Sequence, residues 1–234
     1  MYFKGKKAVF FDFGDTLAST SPPYIKRINM AMRRAGYEVS YEEFEKAYLE
    51  ADYDIFKIYE KQGKLTPEEY RSNFRSLLYE ALGVDEDPSV FYTKIREEMK
   101  EIKFSRAVLE GTFDLLESLK KKGILIGIIS NNDGKTEEKC EEVGIKSYID
   151  YVFDSTELNL VKPDRRIFEL ALSNMGVSPK ESIHIGDLYG SDVLGGLNAG
   201  LDVIWFNQRG GERFDGMEVC EVQSLIQIKE VLGN

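Results

Sequence analysis

The chain has 234 residues, of which 42% are hydrophobic and 31% are charged, so it can fold as one large domain or as one domain with an insert. Its formal net charge of −10 argues against general nucleic-acid binding, which depends on Lys and Arg side chains to neutralise phosphates. There is no membrane-length apolar run and no signal-peptide pattern, and the two cysteines lack zinc spacing, so we expect a cytoplasmic protein.

The first predicted element is a buried strand that ends in a carboxylate. Val9-Phe10-Phe11 is an apolar run of β-formers, and Asp12 follows it directly, with Gly14 two residues later. Open α/β sheets carry their chemistry at the carboxyl ends of strands, which is where Asp12 would emerge. Taken alone, the same residue could simply cap the next turn.

Residues 18–104 are predicted to be almost wholly helical. No strand signal interrupts the segment after Leu17, and apolar residues recur at helical spacing. We therefore expect a bundle of four helices inserted in the chain. Its helix-start signals are Pro22-Pro23, Ser40 with Glu43, Thr66-Pro67-Glu68-Glu69, and Pro88.

From residue 105 onward, predicted helices and strands alternate. Repeated β-α-β units form a parallel sheet with helices on both faces. We therefore predict an α/β fold, a doubly wound parallel sheet built from residues 1–17 and 105–234 and interrupted by an all-α cap at 18–104. The strand candidates after the insert are Ile124–Ser130, Tyr151–Phe153, Ile183–Ile185, Leu201–Phe206 and Val219–Val222.

Polar groups suited to phosphoryl chemistry are predicted to follow four strands of this sheet. Strands that run in the same direction bring their ends to one edge, so we expect these groups to surround a common point. A nucleophilic carboxylate, a hydroxyl, a cation and a pair of acids together serve phosphoryl transfer. Each residue alone has a plainer alternative, as a helix cap or a solvated surface residue. The groups are Asp12, Ser130, Lys162, and Asp187 with Asp192.

In this order, the set resembles the haloacid dehalogenase superfamily, whose Rossmann-like core carries an Asp-led strand, a strand-end Ser or Thr, a Lys and an acidic pair. The helical insert lies where that family carries its first type of cap. The resemblance implies that Asp12 is the nucleophile and forms an aspartyl-phosphate. It implies that Ser130 hydrogen-bonds a phosphoryl oxygen and that Lys162 offsets the phosphoryl charge.

The same resemblance implies Mg²⁺ and a small phosphorylated metabolite as substrate. Asp12, the Gly14 carbonyl and Asp187 would bind the metal, while Asp192 would be either a further ligand or a support for Lys162. No feature of the sequence predicts an oligomeric state. The residues implied to lie beside the substrate are Phe13, Gly14, Ser130, Asn131 and Lys162.

One position departs from the pattern of the phosphatase members. They carry a second Asp two residues after the nucleophile, which protonates the leaving group, but this chain has Gly14 there and Asp15 one residue later. Three hypotheses follow. The first is a Mg²⁺-dependent phosphatase in which Asp15, a cap residue or water supplies the proton. The second is a 2-haloacid dehalogenase, and the third is a weakly active or non-catalytic binder of a phosphorylated ligand. The acidic pair argues against the dehalogenase. The single histidine, His184, falls in a predicted strand and is expected to be a core residue.

Overall fold

The computed structural model describes residues 4–214 and 216–233, and within them the chain folds around a six-stranded parallel sheet. The sheet has the order β5-β4-β1-β6-β7-β8, with every neighbouring pair parallel. The strands of the chain are β1 (Ala8–Phe11), β2 (Ala18–Ser21), β3 (Ser105–Val108), β4 (Leu125–Ser130), β5 (Tyr151–Asp154), β6 (Ser182–Gly186), β7 (Asp202–Phe206) and β8 (Cys220–Val222).

Helices cover both faces of this sheet, as a doubly wound fold requires. Val9 and Phe11 of β1 pack with helices α5 (Thr112–Lys121) and α10 (Leu225–Val231), while Phe10 points the other way and packs with α8 (Arg165–Met175). The predicted α/β class is therefore confirmed. The helices are α1 (Tyr24–Arg34), α2 (Tyr41–Gln62), α3 (Pro67–Leu82), α4 (Pro88–Lys100), α5 (Thr112–Lys121), α6 (Thr136–Glu142), α7 (Ser155–Leu158), α8 (Arg165–Met175), α9 (Gly195–Asn198) and α10 (Leu225–Val231). None of the helices in the described ranges is both long and apolar enough to cross a bilayer.

Strand β1 lies at the point where the strand order reverses. The chain runs from β1 to β4 and β5 on one side of the sheet, and then to β6, β7 and β8 on the other. Phe11, the last residue of β1, pairs with Ile128 on one side and Ile185 on the other. Ligands of open α/β sheets bind in the crevice at such a reversal, so the residue after Phe11 occupies the favoured position for chemistry.

The helical insert leaves the core through a short antiparallel ribbon. Strands β2 and β3 pair from Ala18 with Val108 to Ser21 with Ser105, and helices α1 to α4 lie between them. The prediction that β-structure stops after Leu17 was wrong. Ala18–Ser21 is too short and too polar to be recognised as a strand, and it forms one only because residues 105–108 pair with it.

The insert packs on the core through shared apolar contacts. Ile55, Tyr59 and Leu65 of the insert join Tyr189 and Trp205 of the core in one buried cluster. The capping box predicted at Ser40 is present at the start of α2. Thr66, predicted as a capping residue, also forms a capping box, at the start of α3. The insert therefore has its own helical signals and also shares a core with the sheet domain.

Candidate active site

Asp12 extends from the end of β1 into a buried, charged site. Its backbone N–H continues the sheet ladder by donating to the Ile185 carbonyl at 2.8 Å, while its carboxylate accepts from Lys162 Nζ at 2.7 Å. Burial raises the pKa of Asp12 to about 7, with Lys162 opposing the shift and the charges of Asp192 and Asp187 adding to it. A further positive charge at this carboxylate would therefore favour its ionised, nucleophilic form.

Lys162 reaches the site from a loop, not from the end of a strand. Strand β5 ends at Asp154, and α7 intervenes before Lys162, so the prediction that all four polar groups follow strands was wrong for this residue. The Asn131 side chain holds the loop in place: its Nδ2 donates to the Lys162 carbonyl at 2.9 Å, and its Oδ1 accepts from the Lys162 N–H at 2.8 Å. Asn131 thus positions the backbone of Lys162, a contact that the sequence did not indicate.

Asp192 holds the other side of the lysine ammonium. Its Oδ1 accepts from Lys162 Nζ at 2.6 Å and lies 2.9 Å from His184 Nε2, while its Oδ2 accepts from the Leu188 N–H at 3.0 Å. Burial alone would raise the pKa of Asp192, but Lys162 and His184 outweigh it and hold that pKa below its ordinary value. Asp192 is therefore a buried counter-charge for Lys162, and both of its oxygens are engaged by protein groups.

His184 is fully buried in β6, as predicted for a core residue, but it also contacts the site. Burial lowers its pKa, which favours the neutral ring, although Asp192 opposes that shift. Phe168 packs against the imidazole at 5.1 Å between ring centroids. The sequence indicated the burial of His184, and the structure adds its bond to Asp192.

Asp187 follows β6 and is fixed from several directions. Its backbone carbonyl accepts from Trp205 Nε1 at 3.1 Å, and its Oδ1 accepts from the Thr16 hydroxyl at 3.4 Å. Its other carboxylate oxygen pairs with the Arg209 guanidinium. Burial raises the pKa of Asp187 to about 6, with Arg209 opposing the shift and the Asp192 and Asp15 charges reinforcing it.

Arg209 is the main site residue that the sequence analysis missed. It lies in the connection between β7 and β8, and its guanidinium bridges three carboxylates from three parts of the fold. It pairs with Asp187, with Asp15 at 2.5 Å and with Glu45 of α2 at 3.7 Å. Nothing around Arg209 in the sequence distinguishes it from a solvated arginine, because its partners are distant along the chain.

Asp15 is paired with Arg209 and is therefore not a free acid. The residue has a left-handed backbone with φ of 54°, and its carboxylate also accepts from the Ser19 hydroxyl. A carboxylate committed to a guanidinium and a hydroxyl is poorly placed to protonate a leaving group. Next to it, Gly14 has an ordinary φ, and a Cβ added there would lie 3.9 Å from Asp12 Oδ2.

Ser130 and Phe13, also predicted as site residues, differ in whether their side chains lie at the site. Ser130 ends β4, the parallel strand next to β1, so it lies at the same edge of the sheet as Asp12, and it is only 3% exposed. The Phe13 side chain is 3% exposed and belongs to the apolar core. Only the backbone of Phe13 is therefore available to a substrate.

The charges of the site suit a small divalent cation with oxygen ligands. The carboxylates of Asp12, Asp15, Asp187 and Asp192 outnumber the cationic groups of Lys162 and Arg209 in contact with them. Within residues 4–214 and 216–233, no three acidic, His or Cys side chains converge as a protein-only metal cage. Mg²⁺ is commonly held by one or two carboxylates, waters and substrate phosphate oxygens, and the donor set of Asp12 and Asp187 fits that arrangement.

The fold and this site define a hydrolase of the haloacid dehalogenase type. Residues 9–206 match the family model for haloacid dehalogenase-like hydrolases, and the chain belongs to that family. It is 32% identical over 237 residues to a glyceraldehyde 3-phosphate phosphatase of Methanothermobacter thermautotrophicus, an alignment that covers 97% of this chain and 99% of that protein.

Solved structures agree on the fold. A HAD phosphatase from Thermococcus onnurineus superposes with a TM-score of 0.60 at 21% identity, covering 97% of this chain and 98% of that one. A 2-haloacid dehalogenase from Pseudomonas syringae superposes with a TM-score of 0.58 at 23% identity, again covering 97% and 98%. The shared architecture therefore does not separate a phosphatase from a dehalogenase.

Proposed function

We propose that the protein is a Mg²⁺-dependent phosphomonoester hydrolase that acts on a small phosphorylated metabolite through an aspartyl-phosphate on Asp12. The observation that carries this proposal is the buried Asp12 carboxylate at the strand-order reversal, bonded to Lys162 at 2.7 Å. The likeness to a glyceraldehyde 3-phosphate phosphatase over nearly the whole chain supports a phosphate ester as the substrate.

In the first step, an Asp12 carboxylate oxygen attacks phosphorus as the bond to the leaving oxygen breaks, and the leaving alkoxide takes up a proton. Lys162 neutralises charge on the phosphoryl oxygens, and the Ser130 hydroxyl donates to one of them. In the second step, water attacks the phosphorus of the aspartyl-phosphate and releases inorganic phosphate and the Asp12 carboxylate.

The residues that would hold Mg²⁺ are Asp12, Asp187 and the Gly14 carbonyl. When bound, the metal would supply charge neutralisation and orientation of the phosphoryl group. Asp192 would act as the partner of Lys162, since both of its oxygens already accept bonds from protein groups. The proton for the leaving group comes from water or from a cap side chain, because Gly14 has none to give and Asp15 is paired with Arg209.

The experiment that tests this function measures hydrolysis of p-nitrophenyl phosphate and of a panel of sugar, triose and nucleoside phosphates, with Mg²⁺ and with EDTA. We expect turnover that EDTA abolishes and that Asp12→Asn removes. Activity retained by Asp12→Asn would refute the nucleophile assignment.

The same assay separates the two alternative functions. Gly14 is the observation that favours a weakly active or non-catalytic binder, and a failure to turn over any substrate while binding phosphate would support that function. Chloride release from 2-chloropropionate without metal would support a dehalogenase and contradict the phosphatase.

A further inference from the structure

An aspartate of the helical insert, Asp52, is bonded to the loop that carries Asp187 and Asp192. Asp52 lies on α2 and is 0% exposed. Its Oδ2 accepts from the Gly190 N–H at 2.6 Å, and its Oδ1 accepts from the Ser191 hydroxyl at 2.5 Å. The Ser191 N–H lies 3.2 Å from both oxygens.

The backbone of α2 also lies directly against this loop. Residues 189–194 form a π-helical turn, and a Cβ added at Gly190 would collide with the Asp52 carbonyl oxygen. A glycine at 190 is therefore needed for the helix to approach closely enough for its carboxylate to reach the turn. The bonds to the turn therefore satisfy both oxygens of the buried Asp52 carboxylate.

The two acids of the site stand on either side of this contact. Asp187 precedes Gly190 and Ser191, and Asp192 follows them. On the core side, Asp192 Oδ2 accepts from the Leu188 N–H at 3.0 Å and closes the loop on itself. On the insert side, Asp52 supplies the bonds that hold the same stretch of backbone.

We propose that Asp52 is a positioning residue through which docking of the insert on the core sets the Mg²⁺ affinity of the Asp12–Asp187 site. The inference rests on the proposed metal-dependent function. Mg²⁺ demands near-ideal octahedral geometry, so a small shift of Asp187 relative to Asp12 weakens binding. Groups that orient the ligands of a metal without touching the metal itself change the metal affinity by about 10- to 100-fold.

The coupling works in both directions. If docking of the insert raises the affinity for Mg²⁺, then Mg²⁺ must stabilise the docked insert by the same factor. Asp52 therefore connects the state of the metal site with closure of the insert over it, without touching substrate or metal.

The test measures the affinity of the metal alone, without substrate, by isothermal titration with Mg²⁺. We expect Asp52→Ala to bind Mg²⁺ about tenfold or more weakly than the natural protein, and Asp52→Asn to show a smaller loss because its amide oxygen can still accept one bond. The matched control is Asp54→Asn, which removes an acid from the exposed side of the same helix, 42% exposed and paired with Lys57. It should bind Mg²⁺ as the natural protein does.

A variant on the core side keeps the test valid if Asp52→Ala does not fold. Ser191→Ala deletes the hydroxyl donor at 2.5 Å and leaves both backbone donors in place. Combined with Asp52→Asn, it should give a non-additive change in Mg²⁺ affinity, since both changes alter the same contact between the insert and the turn. In the reciprocal measurement, Mg²⁺ should slow proteolysis of the insert in the natural protein, and it should do so less in Asp52→Asn.

The outcomes separate this inference from the function on which it rests. Folded Asp52 variants that bind Mg²⁺ as tightly as the natural protein would overturn the positioning role, whatever their loss of thermal stability. Failure of the natural protein itself to bind Mg²⁺ would overturn the proposed metal site. Weakened binding in Asp52→Ala with an unchanged Asp54→Asn control would support the coupling.

Discussion

Replacing Gly14 with Asp is expected to restore an acid for the leaving group. Gly14 has an ordinary φ, and the nearest heavy atom to an added Cβ is Asp12 Oδ2 at 3.9 Å, so the backbone accepts a side chain at this position. Its carboxyl group would extend into a site already rich in negative charge, which raises the pKa of an added acid and favours the protonated form that a donor needs. A positioned general acid contributes about 10²- to 10⁴-fold, or roughly 3–5 kcal/mol of barrier.

The assay compares two leaving groups in Gly14→Asp. p-Nitrophenolate leaves without much protonation, whereas the alkoxide of glyceraldehyde 3-phosphate or glycerol phosphate requires a proton. We expect kcat for the alkyl phosphates to rise by about 10²-fold or more, with little change for p-nitrophenyl phosphate. Gly14→Asn is the control, because it has nearly the same size and no carboxyl proton. Equal behaviour of the Asp and Asn variants on both substrates would refute the reasoning.

Three further predictions concern the buried charges. Lys162→Met should destabilise the fold by about 3–5 kcal/mol in urea unfolding at pH 7, since it leaves Asp12 and Asp192 buried without their cation. The control is Lys57→Met, at an exposed pair, which should lose less than about 1 kcal/mol. A loss of stability in Lys162→Met as small as that of the control would contradict the role of Lys162 as the buried cation of Asp12 and Asp192. Burial raises the pKa of Asp52 from 3.8 to about 7, so between these values the folded state keeps a proton that the unfolded chain has lost. The contribution of Asp52 to the free energy of unfolding is therefore full below pH 3.8 and falls as the pH rises to about 7. The total loss is up to about 4 kcal/mol. Asp52→Asn should remove that share of the pH dependence, and parallel stability curves for the two proteins would disprove it. Arg209→Gln should tighten Mg²⁺ binding by about tenfold, because the guanidinium competes with the metal for Asp187. Tenfold is about 1.4 kcal/mol, roughly a third of the ~4 kcal/mol attraction of adjacent charges near a surface. Arg213→Gln, at an exposed pair on the same connection, is the control and should not change the affinity.

The sequence predicted the fold well because the periodic signals in the core are local. The strand that carries Asp12, the alternation of strands and helices after residue 105 and the capping boxes of the insert all depend on neighbouring residues. The ribbon of Ala18–Ser21 with Ser105–Val108 was missed because its only stabilising partner lies more than eighty residues away. Short polar strands of this kind are defined by pairing and not by composition.

The prediction of the site residues depended on their order along the chain, and it did not extend to their contacts. Lys162 was expected to follow a strand, but a loop tied to Asn131 delivers it. Arg209 and Asp52 could not be predicted as site residues, because their local sequence is that of a solvated arginine and of an ordinary acid on a helix. Their role follows from partners contributed by other elements, which no local pattern encodes.

The ribbon of β2 and β3 brings the two ends of the helical insert together, which matters for engineering the protein. Ser21 faces Ser105 across the ladder, so the two ends of the insert lie one strand spacing apart and a short hairpin turn could close the core without it. Such a minimal core would expose Tyr189 and Trp205, which the insert now covers. A replacement lid must therefore bring its own apolar face for those two aromatics, and an acidic side chain for the turn beside them.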